Sequence, residues 1–235
     1  MRLLRTAAAW AAGFFVFLGM VAVLLVLPGL IPRRRWESVL KALSRALVRC
    51  FGYRVRVEGL EHLPPSGAAV LVCNHVNFLD GFLLFGFLPR SFRALEQLQH
   101  FSWPVYGLLT RRFGNIALDQ GGGGKTAGAL RSAEDALRSG ISLLIFPEGH
   151  RTRDGAFREF KRGAFRLAER SSVPVVPIVQ RGAWELVHGG RRWLRAGPVT
   201  LKILPPWTAD RRSGLSAEEV RDRLRAEMEA AFGRA

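Results

Sequence analysis

Ala68-Ala69-Val70-Leu71-Val72-Cys73-Asn74-His75-Val76-Asn77-Phe78-Leu79-Asp80 carries an apolar run straight into a polar turn. Ile141-Ser142-Leu143-Leu144-Ile145-Phe146-Pro147-Glu148-Gly149-His150-Arg151 repeats the plan. Short, almost continuous apolar runs of this kind are the pattern of strands covered on both faces. Working outward, Tyr53–Val57 and Val199–Leu204 alternate, and Asn115–Leu118 and Val175–Val179 read as further short strands. Leu79–Leu88, Thr126–Arg138, Gly163–Arg170 and Ser216–Phe232 read as helices. The last carries its own start signal, a capping box of Ser216 with Glu219 and a staple of Leu215 on Val220. Strands alternating with helices predict an α/β fold, with a mixed, largely parallel sheet flanked by helices. In such sheets ligands gather at the carboxyl ends of the strands, which is where both polar turns fall.

The N-terminal part differs in kind. Ala7 to Ile31 holds no charged residue. As a straight helix it would be about 37 Å long, against roughly 30 Å of bilayer hydrocarbon. It is too long for the apolar region of a secretory signal and ends in Arg33, Arg34 and Arg35 rather than in a cleavage site. Pro28 interrupts the helix ladder near its end, so the segment either spans the bilayer or turns within one leaflet. Trp36 to Phe51 follows as a second helix, with Trp36, Leu40, Leu43, Leu47 and Phe51 on one stripe and Lys41, Arg45 and Arg49 off it. It reads equally as a basic amphipathic helix at headgroup level and as an ordinary surface helix. Residues 1–52 are thus expected to form N-terminal membrane-associated helices, and residues 53–235 the α/β domain. The arginine cluster favours a cytoplasmic domain, although Arg2 and Arg5 weaken that asymmetry.

The chain has 235 residues and a formal net charge of +16, from 35 Lys+Arg against 19 Asp+Glu. An anionic partner is implied: a membrane surface, nucleic acid, or an acidic protein or substrate. At 49% hydrophobic residues the chain can bury a core, which excludes wholesale disorder. Two cysteines, Cys50 and Cys73, supply neither a disulfide scaffold nor a zinc site. Gly121 to Thr126 invites a nucleotide reading, but the first glycine of a phosphate loop would stand at Asp119. No tract of basic residues or base-reading module points to nucleic acid.

His75 and Asp80 stand five residues apart, about 140° on a continuous helix, so they meet only if the chain turns between them. The carboxylate would then fix the imidazole tautomer, leaving the other ring nitrogen free to accept a proton from a hydroxyl. The bland alternative is a histidine that caps a loop and an aspartate that caps a helix. In the second turn, Arg151 and Arg153 can present guanidinium forks to a phosphate, with Lys161 and Arg162 shortly after and Glu148 as the single acid.

Asn74-His75-x4-Asp80 resembles motif I of the glycerolipid acyltransferases, the family of the 1-acylglycerol-3-phosphate acyltransferases. Phe146-Pro147-Glu148-Gly149-His150-Arg151 is similar to that family's F-P-E-G-T-R motif, with His150 in place of Thr. Gly114–Asp119 resembles the start of its second motif, and Val173–Ile178 its apolar, proline-containing fourth. The resemblance implies acyl transfer without a covalent intermediate, with His75 as general base and Asp80 holding it. It implies an acceptor site at Asn74, Glu148, Gly149, Arg151 and Lys161. The donor would be a fatty acyl thioester of coenzyme A or of acyl carrier protein, and the acceptor a lysolipid, most simply 1-acylglycerol-3-phosphate. No cofactor and no metal is expected. The expected setting is phospholipid synthesis at the cytoplasmic face of a bacterial inner membrane. One departure bears on the acceptor: Gln120 occupies the place where the family carries an arginine. A neutral amide does not replace a guanidinium fork. Arg111, Arg112 or Lys125 would supply the charge instead, or the acceptor lacks a phosphomonoester, as in a lyso-ornithine lipid. A membrane-tethered basic module without catalysis is the remaining alternative.

Overall fold

The computed structural model describes residues 2–119, 124–187 and 194–233. The chain opens with helices α1 (Arg2–Val26) and α2 (Arg33–Cys50), then strand β1 (Tyr53–Glu58), strand β2 (Val70–Cys73) and helix α3 (Asp80–Phe87). Strand β3 (Phe92–Gln97), helix α4 (Tyr106–Phe113), strand β4 (Ile116–Leu118), helix α5 (Gly124–Arg138) and strand β5 (Ser142–Ile145) follow. The chain continues through α6 (Gly163–Arg170), β6 (Val175–Arg181), α7 (Ala183–Val187), β7 (Gly197–Ile203), α8 (Ala209–Arg212) and α9 (Ala217–Gly233). Two compact units form. The first comprises Met1–Arg56, Val76–Arg90 and Gly182–Val199; the second comprises Val57–His75, Ser91–Arg181 and Thr200–Ala235.

In the first unit α1 and α2 form an antiparallel hairpin. Its bend is a tight 3-10 turn, Leu27–Gly29, which contains Pro28, and Pro32 then precedes α2 with φ −56°. Gly13 lets the helices approach: a Cβ there would fall 2.8 Å from the Phe51 ring, while Gly19 faces Leu43 at 4.0 Å. Trp10 packs edge-on to Phe51 at 5.0 Å and flat on Phe78 at 5.7 Å. The outer face of α1 is uncovered, with Leu4 75% and Phe15 70% exposed, while Met20 and Leu24 are buried. Leu3–Gly29, 27 residues, is long and apolar enough to cross a membrane by length and composition.

Helix α2 corrects one expectation about its basic residues. Lys41 and Arg45 do not stand outward. Lys41 Nζ donates to the carbonyls of Leu88 (2.8 Å) and Arg90 (3.1 Å), and Arg45 Nη1 donates to that of Gly86 (2.8 Å). The cause is α3, whose last carbonyls have no partners within their own helix and take these cations instead. Burial holds the Lys41 ammonium below its ordinary pKa. The approach is close: a Cβ on Gly86 would lie 3.1 Å from the Arg45 backbone nitrogen.

The second unit holds most of the sheet. The described strands form a seven-stranded sheet in the order β1-β7-β6-β2-β5-β3-β4. β2 pairs in parallel with β5 and with β6, β5 with β3, and β3 with β4, whereas β6 and β7 are antiparallel. The mixed, largely parallel sheet expected from the sequence is therefore present. Val70, Leu71, Leu143 and Leu144 are fully buried, each contributing roughly 1.5–3 kcal/mol by leaving water. Ala133 and Leu137 of α5, Phe165 and Ala168 of α6, and Leu224 and Met228 of α9 share one core cluster with the strands. The α9 capping box forms as read: Ser216 N–H donates to Glu219 Oε2 (2.8 Å) and Glu219 N–H to Ser216 Oγ (3.2 Å).

Candidate active site

Strand register builds the centre of the site. Val72 of β2 lies opposite Ile145 of β5. Because these strands are parallel, the residues three places further on, His75 and Glu148, leave the sheet side by side. Glu148 Oε1 accepts the His75 backbone N–H at 2.9 Å, and Glu148 Oε2 accepts that of Arg158 at 3.0 Å. Thr152 N–H donates to the His75 carbonyl at 2.8 Å. The imidazole lies flat on the Phe146 ring, with centroids 4.1 Å apart and planes 13° apart. Backbone and ring are thus held from three sides by the two turns.

On the other flank Cys73 is opposite Ile178 of β6. Asn74 Nδ2 donates to the Gln180 carbonyl (3.0 Å), Gln180 N–H donates to Asn74 Oδ1 (2.8 Å), and Gln180 Nε2 donates to the Asn74 carbonyl (3.3 Å). Both polar ends of the Asn74 amide therefore serve the strand junction just before His75. Gln180 is fully buried.

In the first unit the chain turns as the five-residue spacing requires. Asp80 Oδ2 accepts the backbone N–H groups of Val76 (2.6 Å) and Asn77 (3.0 Å), folding the carboxylate back over the residues that follow His75. Asn77 pins the same turn: its Nδ2 donates to Tyr53 Oη (2.7 Å) and to the Ala183 carbonyl (3.2 Å), and its Oδ1 accepts from Leu79 N–H (2.8 Å). Asp80 and Asn77 are fully buried. Burial pushes the Tyr53 hydroxyl pKa up, so it stays protonated.

The basic turn folds back on itself. Lys161 N–H donates to the Pro147 carbonyl at 2.7 Å. Gly149 adopts φ +74°, and a Cβ there would lie 2.8 Å from Lys161 Nζ, so the ammonium sits directly over this glycine. Gln97, at the carboxyl end of β3, reaches the same place: its Nε2 donates to the Gly149 carbonyl (3.3 Å) and lies 3.2 Å from His150 Nδ1. Desolvation, then the charges of Lys161, Arg158 and Arg153, hold the His150 imidazole below its ordinary pKa. Arg151 and Lys161 are exposed, and the Arg158 guanidinium bonds the Arg151 carbonyl at 3.4 Å. Beside them Glu96 accepts from the Tyr106 hydroxyl (3.0 Å) and from Asn115 Nδ2 (2.5 Å), with its pKa raised by burial.

Sequence reasoning missed Gln97, Glu96, Tyr106, Arg158 and Gln180. The one signal available was Gln180, a lone amide closing an apolar strand. Of the cations weighed as replacements at the second motif, Arg111 is committed to the Phe101 carbonyl, and Arg112 is exposed. Gln120 and Gly121–Gly123 lie outside the described residues. Among the described residues no group of three His, Cys, Asp or Glu is placed to hold a metal ion.

A histidine thus lies on an aromatic ring at a strand end, beside a turn rich in cations. A sequence model of the family described as Acyltransferase matches residues 54–181. A 1-acyl-sn-glycerol-3-phosphate acyltransferase of Chlamydomonas reinhardtii is 36% identical over 159 residues, 66% of this chain and 48% of that protein. The 1-acyl-sn-glycerol-3-phosphate acyltransferase alpha of Homo sapiens is 30% identical over 227 residues, 94% of this chain and 78% of that protein. The chain spans about half the length of the Chlamydomonas relative and of a chloroplastic one from Arabidopsis thaliana. In fold it is similar to the crystal structure of the 1-acyl-sn-glycerophosphate acyltransferase of Thermotoga maritima, with a TM-score of 0.83, 24% identity, and 98% and 96% of the two chains covered. The chain belongs to the acyltransferase family.

Proposed function

We propose that the chain is a membrane-bound O-acyltransferase that moves a fatty acyl group from a thioester of coenzyme A or acyl carrier protein to the free hydroxyl of a lysolipid. The acceptor supported best is 1-acylglycerol-3-phosphate, which gives phosphatidic acid. One observation carries the reading: the Val72–Ile145 register delivers His75 and the Glu148–Arg151 turn to the same strand ends. His75 accepts the hydroxyl proton, and Asp80 orients its imidazole. The acceptor oxygen attacks the thioester carbonyl, the C–S bond breaks, and the imidazolium returns the proton to the departing thiolate. The thioester already carries the activation, so no cofactor or metal is called for. Arg151 and Lys161 neutralise the acceptor phosphate, while Glu148, Gly149 and Asn74 hold the turns that present them. Residues 1–52 serve as anchor and residues 53–235 as the catalytic domain.

The hairpin supports insertion into one leaflet. α2 runs beside α1 and carries Arg34, Arg35, Lys41, Arg45 and Arg49, and each such charge at the bilayer centre costs about 2.5–3.5 kcal/mol on insertion scales. With the hairpin lying along the interface, the uncovered face of α1 meets acyl chains while Arg33–Arg35 at the bend and the charges of α2 stay at headgroup level. The arginines at 33–35 favour the cytoplasmic side of a bacterial inner membrane.

The test is transfer of labelled acyl from both thioesters to a panel of lysolipids by the purified chain. His75→Ala should lower turnover roughly 10²–10⁴-fold, the usual share of general base catalysis. Full transfer by a folded His75→Ala protein would overturn the mechanism. No transfer by the wild-type chain would leave a binding module. Because Gln120 replaces an arginine, the panel includes lyso-ornithine lipid, and preference for it would move the acceptor away from lysophosphatidate.

A further inference from the structure

Every fourth residue on one side of α2 is a cation: Lys41, Arg45 and Arg49. The first two are consumed by carbonyls at the end of α3. Arg49 is not. Its guanidinium lies 6.0 Å from the centroid of Phe87, the last residue of α3, and it makes no ion pair among the described residues. Together with Arg54 it lines an open cavity of about 550 Å³ within the first unit, walled by Phe87, Val55 and Tyr53 and bordered by Ala196. Among the described residues no carboxylate lines it. Arg54 likewise has no ion pair among the described residues, and both arginines are exposed. Two guanidinium forks over a concave, partly apolar wall match a phosphate attached to a glycerol unit. The carboxyl end of α2 is a partial negative charge, which favours Arg49 but does not neutralise a full cation.

We propose that this cavity is a second anion site, separate from the acyl-transfer turn, that holds the phosphate of an anionic headgroup. Its geometry does not depend on the catalytic reading. The assignment of a lipid source rests on the hairpin reading above. The cavity lies at the open end of the hairpin, where Phe51 meets Trp10 and Gly13. With the hairpin lying along the interface, that end stands at headgroup level. A bound headgroup would then set how deep the hairpin sits.

The experiment is a calorimetric titration of the full chain in nonionic detergent, with dihexanoyl phosphatidylglycerol, dihexanoyl phosphatidylcholine and inorganic phosphate as probes. It is run on Arg151→Ala protein so that the acceptor turn contributes little. Arg49→Gln with Arg54→Gln should weaken phosphatidylglycerol binding at least tenfold. Arg131→Gln with Arg223→Gln, the same change of net charge at exposed positions on α5 and α9, should leave it within twofold. Ala196→Glu, which sets a carboxylate at the rim without touching either arginine, should weaken binding as the double variant does. Loss of the lipid alone supports a bilayer source, and equal loss of inorganic phosphate supports a soluble phosphate at the same site. Unchanged binding in the Arg49/Arg54 variant, or equal weakening in the control, overturns the proposal. His75→Ala should not alter any of these titrations, so their outcome is independent of the acyl-transfer result.

Discussion

Glu148→Gln separates a framework role for this carboxylate from one of direct contact with the acceptor. Glu148 is 3% exposed and accepts two backbone N–H groups, from His75 on one oxygen and from Arg158 on the other. Glutamine keeps the shape but has one acceptor; its amide nitrogen would face one of those donors. A buried N–H left without a partner costs about 1–3 kcal/mol. At about 2–4 °C per kcal/mol for a chain of this length, the melting temperature should fall by roughly 2–12 °C. His75 follows, because its own N–H is one of the two bonds at risk, and a displacement near 1 Å at a reacting group costs up to about 10²-fold in rate. The assay is thermal unfolding by circular dichroism together with labelled acyl transfer at saturating acceptor. The expected outcome is a lower melting temperature with kcat reduced more than acceptor KM is raised. An unchanged melting temperature with a raised KM alone would refute the framework role and make Glu148 an acceptor ligand.

Gly149→Ala should raise the acceptor KM with a smaller effect on kcat, because a Cβ at φ +74° is strained by about 1–2 kcal/mol and would push Lys161 Nζ off the turn; steady-state kinetics with varied acceptor reads this, and an unchanged KM would remove Lys161 from the acceptor site. His150 gives a pH signature. Its folded-state pKa lies below the ordinary value because of burial and then the nearby charges of Lys161, Arg158 and Arg153. Whatever stability this neutral imidazole contributes is therefore present above about pH 6.5 and lost as the pH falls through the lowered value. An anionic acceptor favours the charged form, so the ratio of the His150→Thr dissociation constant to that of the unsubstituted protein should rise between about pH 7.5 and about pH 5.5. A ratio constant across that range would place His150 away from the bound anion.

What was legible in the sequence follows from burial. β2 and β5 are covered on both faces, so Val70–Cys73 and Ser142–Ile145 stand out as unbroken apolar runs. β3 was illegible because Arg93, Glu96 and Gln97 break its pattern, and Glu96 and Gln97 find polar partners only in three dimensions: Tyr106, Asn115 and the Gly149 carbonyl. α4 was hidden by its entry, where Pro104 is followed by Val105 at φ +62°, a conformation no local rule assigns to valine. Lys41 and Arg45 read as outward because a helical period records which residues are charged, not that a neighbouring helix end needs donors. Three of the four motif segments were legible for a related reason, since they follow or form the buried strands β2, β5 and β6, whereas the second forms β4, of which only Ile116 is buried.

The spacing of the first motif is a folding instruction as well as a chemical one. A parallel strand pair advances both chains in one direction, so matched offsets of three residues beyond Val72 and Ile145 place His75 and Glu148 together. An antiparallel pair, such as β6 with β7, would send the two exits to opposite ends of the sheet. The next five residues then have to reverse, and Asp80 reverses them through its bonds to Val76 and Asn77 N–H. The Asp80 carboxylate is thus fixed by the turn it closes. This carboxylate is held in place before any substrate binds, because two backbone donors have fixed one of its oxygens in a buried site. Under the proposed mechanism, preorganisation of that kind accounts for the five-residue spacing with no regular element between the histidine and the aspartate: a helix there would turn the two groups about 140° apart.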